Sequence, residues 1–304
     1  MSVWVVGASG MLGKAVCRRL SASETQFTGT DLEVDITNLD AVRAHVVKQR
    51  PRIIVNCAAY TAVDAAEKDE PTALRVNGDG PRCLALAARD TGAILVHVST
   101  DYVFAGEGSR PYVENDAVCP KNAYGRTKLA GERAIEEVLG VAQPRPDTGW
   151  LIFRTSWLFG DGPSSFVETM WRLMQEKDEL RVVSDQVGRP TFVEDLAQII
   201  LWAAGIDASE VLPSGIWHFA NRSPTSWHGF ASAIRESMMR VGAPVRTERI
   251  VPVTSEEFPR PASRPHFSVL DTSKLESRGR VPRHWSQALD EYIASRWART
   301  NGGG

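Results

Sequence analysis

A tyrosine and a lysine stand four residues apart in the stretch YGRTK, Tyr124 to Lys128. Residues at this spacing share one face of a helix. An ammonium group held near a phenol lowers the phenol's pKa from its ordinary value of about 10, so Lys128 would make Tyr124 a usable proton donor near neutral pH. A carbonyl oxygen that receives the proton of Tyr124 can also accept a hydrogen bond from the hydroxyl of Thr100. These three side chains predict the reduction of a carbonyl group that accepts a hydride.

An isolated Y-x-x-x-K is usually a pair of surface neighbours, and the residues upstream decide between the two interpretations. The run HVSTDYVF has the pattern of a strand that ends in hydroxyls and a carboxylate. His97 lies inside this run, and we interpret it as a packed core residue. Because this strand and a glycine-rich turn precede the pair in the order that a hydride-transfer site requires, we favour the catalytic interpretation.

The glycine-rich turn follows the first strand candidate, in the stretch VWVVGASGMLGKAV. Gly7, Gly10 and Gly13 have the spacing G-x-x-G-x-x-G. Glycines let backbone amides approach a phosphate, and the N-terminus of the following helix adds partial positive charge. We predict that these glycines, with Met11 and Leu12, bind the pyrophosphate of a dinucleotide. A plain turn between a strand and a helix is the alternative.

Further cofactor candidates follow the second and third strands. Asp31 ends the second strand, where an acid accepts hydrogen bonds from the adenosine ribose. A carboxylate repels a 2′-phosphate and no basic residue adjoins Asp31, so it favours NADH over NADPH; a solvated turn residue is the alternative. The other candidates are Asp35, Ile36, Ala58, Ala59 and Tyr60. The small residues among them also suit plain packing.

Strands and helices alternate in the first half of the chain, which is typical of βαβ units around a parallel sheet. The strand candidates are Val3 to Val6, Phe27 to Thr30, Ile53 to Asn56, Ile94 to Ser99 and Trp150 to Arg154. Helical spacing recurs in Leu12 to Leu20, Leu39 to Gln49, Arg82 to Ala88 and the stretch around YGRTK that ends at Gly140. This pattern predicts an α/β fold with a Rossmann-type doubly wound parallel sheet.

The second half is less regular, with helices expected near residues 166–177, in the latter part of 181–204, and in SWHGFASAIRESMMRVG and 287–297. GIWHFAN is a strand candidate, and the segment from 242 to 282 is rich in proline with little periodicity. We predict a dinucleotide-binding domain at 1–155 and a smaller α/β substrate domain at 156–304. Segments near 190–204 and 215–221 are expected to return to the first domain.

Composition limits the class of partner. The 304 residues are 43% hydrophobic and 24% charged, with a formal net charge of -2, which favours neither nucleic acid nor an anionic membrane as a partner. No apolar run has the length of a membrane span, and the four cysteines show no CxxC pairing. We expect a cytoplasmic protein with reduced thiols and no metal site.

Several motifs together resemble a known family. GASGMLG, NCAAYTAVDAAE, RVNGDGP, HVSTDYVFAG and YGRTKLAGE resemble the extended short-chain dehydrogenase/reductases, and FRTSWLFG with PASRP is similar to the dTDP-4-dehydrorhamnose reductases. The resemblance runs over essentially the whole chain. It implies that NADPH or NADH reduces the C4 ketone of the nucleotide sugar dTDP-4-dehydro-L-rhamnose to give dTDP-L-rhamnose.

The resemblance also implies roles for individual residues. Tyr124 would be the acid, Lys128 the anchor of the cofactor and Thr100 the partner of the carbonyl. Substrate contacts would come from Asp101, from Trp157 as an apolar platform for the sugar and from an arginine fork at Arg264 for the diphosphate; Asn77 would support the proton relay beside the cofactor. Core packing for Trp157 and a solvated loop for Arg264 remain alternatives.

Some members of the family form dimers through a metal held by acidic residues, and the matching position here is Ala15. We therefore expect no magnesium site, and a monomer or a weak homodimer. Two other functions stay open. One is a reductase or epimerase of another nucleotide sugar, such as that of GDP-fucose synthesis, for which Cys119 would be a candidate acid. The other is a non-catalytic regulatory subunit like that of methionine adenosyltransferase.

Overall fold

The βαβ pattern folds into a six-stranded parallel sheet with helices on both faces, in a computed structural model that describes residues 2–140, 149–162, 165–206 and 211–301. The strands of this sheet are β1 (Ser2–Val6), β2 (Gln26–Thr30), β3 (Ile53–Asn56), β4 (Ile94–Thr100), β5 (Trp150–Thr155) and β10 (Gly215–His218). Their order across the sheet is β10-β5-β4-β3-β1-β2, and every neighbouring pair is parallel. The α/β class and the Rossmann-type sheet are confirmed.

Eleven helices surround the strands in the described part of the chain. They are α1 (Met11–Ala22), α2 (Leu39–Gln49), α3 (Val63–Ala66), α4 (Glu70–Leu74), α5 (Gly80–Thr91), α6 (Ala123–Leu139), α7 (Phe166–Glu176), α8 (Val193–Ala203), α9 (Trp227–Arg240), α10 (Ser273–Glu276) and α11 (Trp285–Asn301). A π-helical turn at Arg75–Asp79 joins α4 to α5, and a 3-10 turn at Asp101–Val103 follows β4. The predicted helices and strands are present, with ends shifted by a few residues.

The sheet is buried on both faces, which is why its strands are almost continuously apolar. In β1, Val3 and Val5 pack in the cluster that includes α1 and α8, whereas Trp4 and Val6 pack in the cluster that includes α2, α5 and α6. Alternation of side chains along a strand explains this division.

Local signals start and stop the helix that carries Tyr124. Asn122 caps α6, because its side chain accepts a hydrogen bond from the backbone N–H of Gly125 at 2.8 Å. The helix ends before Gly140, as the sequence predicts. The cap fixes where α6 begins, and the packing of α6 beside β4 brings the tyrosine to the edge of the sheet.

The described residues of the second half form three further pairs of short strands. They are the parallel pair β6 (Leu158–Phe159) and β9 (Thr191–Phe192), the antiparallel pair β8 (Val187–Gly188) and β11 (Thr225–Ser226), and the parallel pair β7 (Glu179–Val183) and β12 (Arg249–Val253). The sequence did not predict β12, which lies in the proline-rich segment and contains Pro252. Proline is tolerated in an edge strand, and β7 is the one strand that β12 pairs with in the part of the chain that the structure describes.

Candidate functional site

A cavity of about 1070 Å³ opens where β1, β3, β4 and β5 end at one edge of the sheet. Open α/β sheets bind ligands at this edge. Most predicted site residues line it: Gly7, Gly10, Met11, Leu12, Asp31, Asp35, Ile36, Ala58, Ala59, Thr100, Asp101, Tyr124, Lys128 and Trp157. Four predicted residues do not line it: Gly13, Tyr60, Asn77 and Arg264.

The glycine turn forms a tight cradle at one end of the cavity. Gly7 has a φ of 76°, and a Cβ on Gly13 would lie 2.0 Å from the carbonyl oxygen of Gly7. A side chain on Gly13 would therefore separate the loop from α1, and a Cβ on Gly7 would lie 2.7 Å from the backbone nitrogen of Ala58. The N-cap Gly10 supplies no side-chain cap, and the first turn of α1 has no acidic residue. The backbone N–H groups of this first helical turn therefore remain available at the cavity wall, where they fit a pyrophosphate.

Asp31 faces the same end of the cavity and also holds the glycine turn. Its Oδ2 accepts hydrogen bonds from the backbone N–H of Ser9, at 2.7 Å, and from the Ser9 hydroxyl. Among the described residues that line the cavity, Lys128 is the only lysine or arginine. The Asp31 end of the cavity therefore has a carboxylate without a cation to neutralise an additional phosphate.

Tyr124 lies beside Thr100 and Asp101 at the centre of the cavity. Burial, together with the neighbouring Asp101 carboxyl, raises the pKa of Tyr124 to about 12, and a hydrogen bond with Thr100 offsets part of this rise. The phenol is therefore protonated at neutral pH. The prediction that Lys128 lowers the pKa of Tyr124 is wrong in this structure, because burial dominates and the ammonium group is directed elsewhere.

Lys128 is directed at strand β4. The side chain is 1% exposed, and its Nζ donates a hydrogen bond to the carbonyl oxygen of Val98 at 2.7 Å. Nζ also lies 3.1 Å from Nε2 of His97. Burial lowers the pKa of Lys128 to about 8, although the nearby Glu132 carboxylate acts in the opposite direction. Lys128 can therefore exchange a proton near neutral pH.

Asp101 is a buried carboxyl group with one oxygen engaged. The hydroxyl of Thr100 donates to Oδ1 at 3.0 Å, whereas Oδ2 is buried without a hydrogen-bond partner among the described residues. Burial raises the pKa of Asp101 to about 7. The chain of contacts from Asp101 through Thr100 to Tyr124 joins three groups that can carry a proton.

Trp157 lines the cavity but is already stacked on another indole. Its ring lies 3.5 Å from the ring of Trp227, centroid to centroid, with 9° between the planes. A Cβ on Gly188 would approach Cε2 of Trp157 to 2.6 Å, so the backbone of Gly188 also presses on this indole. The sequence did not single out Trp227, which begins α9 and lines the cavity. In this conformation Trp227 covers a face of Trp157.

Asn77 and Arg264 lie behind the cavity wall. Oδ1 of Asn77 accepts from the backbone N–H of Tyr60 at 2.8 Å, and its Nδ2 donates to the Tyr60 carbonyl oxygen and to Thr127. Asn77 therefore supports the loop that carries Ala58 and Ala59. Arg264 pairs with Asp64 at 3.0 Å, which occupies the guanidinium that the sequence assigned to a diphosphate.

Residues 2–140, 149–162, 165–206 and 211–301 lack both a membrane-spanning helix and a cluster of metal-ligating side chains. No helix there is long and apolar enough to cross a membrane. The same residues contain no group of three or more His, Cys, Asp or Glu side chains arranged to hold a metal ion.

Known proteins are similar to this chain in sequence. The family model described as "RmlD substrate binding domain" matches residues 1–297. A dTDP-4-dehydrorhamnose reductase of Streptomyces griseus is 44% identical over 95% of this chain and 92% of its own length. A dTDP-4-keto-6-deoxy-D-glucose reductase of Streptomyces niveus is 41% identical over 95% of this chain and 93% of its own length.

A solved structure extends the likeness to the fold. The dTDP-4-dehydrorhamnose reductase of Bacillus anthracis, in complex with NADP, superposes with a TM-score of 0.87 at 36% identity, covering 97% of this chain and 99% of that one. The match includes both the glycine turn and the second half of the chain. The chain therefore belongs to the dTDP-4-dehydrorhamnose reductase family.

Proposed function

We propose that this protein reduces the C4 ketone of dTDP-4-dehydro-L-rhamnose to dTDP-L-rhamnose, with hydride from NADPH or NADH. The observation that carries the proposal is the meeting of Thr100, Tyr124 and Lys128 in one cavity beyond a glycine cradle. A catalytically idle relative would not need this group of side chains. Membership of a reductase family supports the same conclusion.

The bound nicotinamide would supply the hydride, and residues of this chain would bind the cofactor and position it. The cradle of Gly7, Gly10 and Gly13, with Met11 and Leu12, fits the pyrophosphate, and Asp31 fits the adenosine ribose. Asp35, Ile36, Ala58 and Ala59 form the adjoining wall. Tyr60 and Asn77 act through the loop that they brace.

The proton comes from Tyr124. An alkoxide is a stronger base than a phenolate, so even a phenol with a pKa of about 12 gives its proton to the oxygen that a reduced ketone presents. Thr100 orients that oxygen through its hydroxyl and links Tyr124 to Asp101. Lys128 anchors the cofactor ribose. It also exchanges a proton near neutral pH, which allows Tyr124 to be reprotonated after each reduction.

The sugar and the diphosphate occupy the side of the cavity contributed by the second half of the chain. We assign Asp101 and Trp157 to contacts with the deoxysugar. Trp227, which is stacked on the indole of Trp157, would move away from it when the sugar binds. Arg264 would bind the diphosphate after its ion pair with Asp64 breaks. Residues 1–155 would form the cofactor domain and residues 156–304 the substrate domain, with the segments near 190–204 and 215–221 returning to the first.

A second candidate reaction is reduction of a 4-keto-6-deoxy sugar of the D-gluco configuration. The relative from Streptomyces niveus favours it, because its name gives that activity and it is nearly as similar as the rhamnose enzyme. Both reactions place a C4 ketone beside Tyr124, so the two candidates differ only in the configuration of the ring that the pocket accepts. We propose that the enzyme acts in the cytoplasm as a monomer or a weak homodimer.

The test follows NADH and NADPH oxidation with the sugar generated in the assay by a 4,6-dehydratase, with and without the 3,5-epimerase. Oxidation that requires the epimerase supports the L-rhamnose reaction. Oxidation without it supports the D-gluco reaction. No oxidation by an enzyme that binds the coenzyme contradicts both and favours the regulatory role.

A further inference from the structure

His97 lies directly beneath Lys128, and the proposed mechanism gives it no task. The imidazole is in strand β4 and is 0% exposed. On one side Nε2 is 3.1 Å from Nζ of Lys128. On the other side Nδ1 is 3.0 Å from Nδ2 of Asn56, at the end of β3. The three side chains form a buried row that crosses two adjacent strands.

The hydrogen bonds of Asn56 determine which nitrogen of His97 carries the proton. Oδ1 of Asn56 accepts from the backbone N–H of Ala58 at 3.1 Å, which directs the amide NH₂ at His97. This NH₂ is a donor, so Nδ1 must accept. Burial holds the pKa of His97 well below its usual range. A neutral imidazole has a single N–H, which in this arrangement is on Nε2.

The consequence falls on Lys128, because the Nε2–H of His97 points at Nζ. An ammonium group has no lone pair to receive it, whereas an uncharged amine does. The other groups that face Nζ are the Val98 carbonyl, Glu132 on the same helix and Cys57 after β3. Glu132 is already engaged by Arg154 and Ser99. The Asn56–His97 pair therefore disfavours the ammonium form of Lys128, whereas Glu132 favours it.

We propose that His97, oriented by Asn56, is a positioning residue that favours the amine form of Lys128 and so sets the pH at which this lysine gains its proton. The inference rests on the proposed function and deepens it, since it concerns the charge of Lys128, the residue that reprotonates Tyr124. Asn56 also binds the N–H of Ala58, which lines the cofactor wall. The charge of Lys128 is thereby coupled to the loop that meets the cofactor.

The first test reads the tautomer of His97 directly and needs no substrate. Long-range ¹H–¹⁵N spectra of the histidine rings in the whole protein are compared with those of His97→Gln, which identifies the signals of His97. The expected result is a proton on Nε2, a bare Nδ1 and no titration across the neutral range. A proton on Nδ1, or a ring that becomes imidazolium in that range, would overturn the proposal.

The second test reverses the tautomer with Asn56→Asp. A carboxylate accepts from both Ala58 N–H and a His97 Nδ1–H, so Nε2 becomes an acceptor for the ammonium group of Lys128. We expect the ring signals to change to the Nδ1–H form. The upper pH limit of single-turnover hydride transfer, and of NADH binding, should rise by about one pH unit or more.

A change in the ring signals with an unmoved pH limit would contradict the proposal. Thermal unfolding of both variants verifies that they are folded, and the spectrum of the unaltered protein decides the tautomer even if Asn56→Asp does not fold. If the protein reduced no sugar at all, the proposed function would fail, while the ring spectra and the pH dependence of NADH binding would still decide the role of His97.

Discussion

Arg154 and Glu132 form an ion pair with almost no solvent contact, and both belong to elements that position the catalytic residues. Two guanidinium nitrogens of Arg154 in β5 bind the carboxylate of Glu132 in α6, the shorter contact being 2.7 Å, and the side chains are 3% and 1% exposed. Ser99, next to Thr100, donates to the same carboxylate at 2.5 Å. The pair therefore joins α6 to the ends of β4 and β5.

Removing one partner should leave a buried charge without compensation. We expect Arg154→Met to lower the free energy of unfolding by about 3–5 kcal/mol. The double variant with Glu132→Met should recover a large part of this loss, because both charges are then absent. Urea unfolding measures both values. A loss below about 1 kcal/mol in the single variant would show that the pair contributes little.

Replacing the phenol of Tyr124 tests the proton donor. Tyr124→Phe should reduce single-turnover hydride transfer on the order of 10² to 10⁴-fold, the usual contribution of a positioned acid. Coenzyme affinity, measured by fluorescence titration, should change only a few-fold. The matched variant Thr100→Val keeps the donor and loses its hydrogen bond, so a smaller loss is expected. Unimpaired reduction by Tyr124→Phe would remove Tyr124 from the mechanism.

Cys119 tests the epimerase-like alternative. It is exposed, does not line the cavity, and its backbone N–H binds the carbonyl oxygen of Val103. Cys119→Ser should therefore keep turnover nearly intact. A loss of a hundredfold or more, roughly 2.7 kcal/mol in the barrier, would indicate a catalytic thiol.

The sequence predicts the fold of the first half well because its signals are local. Buried parallel strands are continuous apolar runs, and caps such as Asn122 and the stop at Gly140 mark the helix that holds Tyr124. The strand β12 gives no such signal, since it is five residues long and is stabilised by its pairing with β7 about 70 positions away.

The site itself was predictable in composition but not in its electrostatics. Spacing brings Tyr124 and Lys128 onto one helix, yet it does not show that Lys128 is directed at His97 and Val98. That orientation depends on the depth at which α6 packs on the sheet. The stacking of Trp227 on Trp157 depends in the same way on two segments separated by 70 positions.

Asp31 should determine the preference between the two coenzymes. The carboxylate lines the cavity, where Lys128 is the only cationic side chain among the described lining residues, so the unaltered protein should use NADH more efficiently than NADPH. Asp31→Asn keeps an acceptor for Ser9 and removes the charge. We expect the ratio of kcat/KM for NADPH to that for NADH to rise by roughly tenfold or more, about 1.4 kcal/mol. A ratio that does not change would mean that another group discriminates between the coenzymes.

Burial of Asp101 should make the stability of the protein depend on pH. The folded state raises the pKa of Asp101 to about 7, above the value of about 3.9 expected in the unfolded chain. The folded state therefore holds a proton that the unfolded state releases between these values. The free energy of unfolding should fall as pH rises through this range and then level off above the folded pKa.

Asp101→Asn removes this titration while keeping the size of the side chain. Its free energy of unfolding should exceed that of the unaltered protein by about 2–4 kcal/mol near pH 8, and the difference should vanish near pH 4. Urea unfolding at a series of pH values measures it, and Asp116→Asn, at an exposed ion pair, provides the control. A difference that does not depend on pH would show that the folded state leaves the pKa of Asp101 near its value in the unfolded chain, so that Asp101 is ionised at neutral pH.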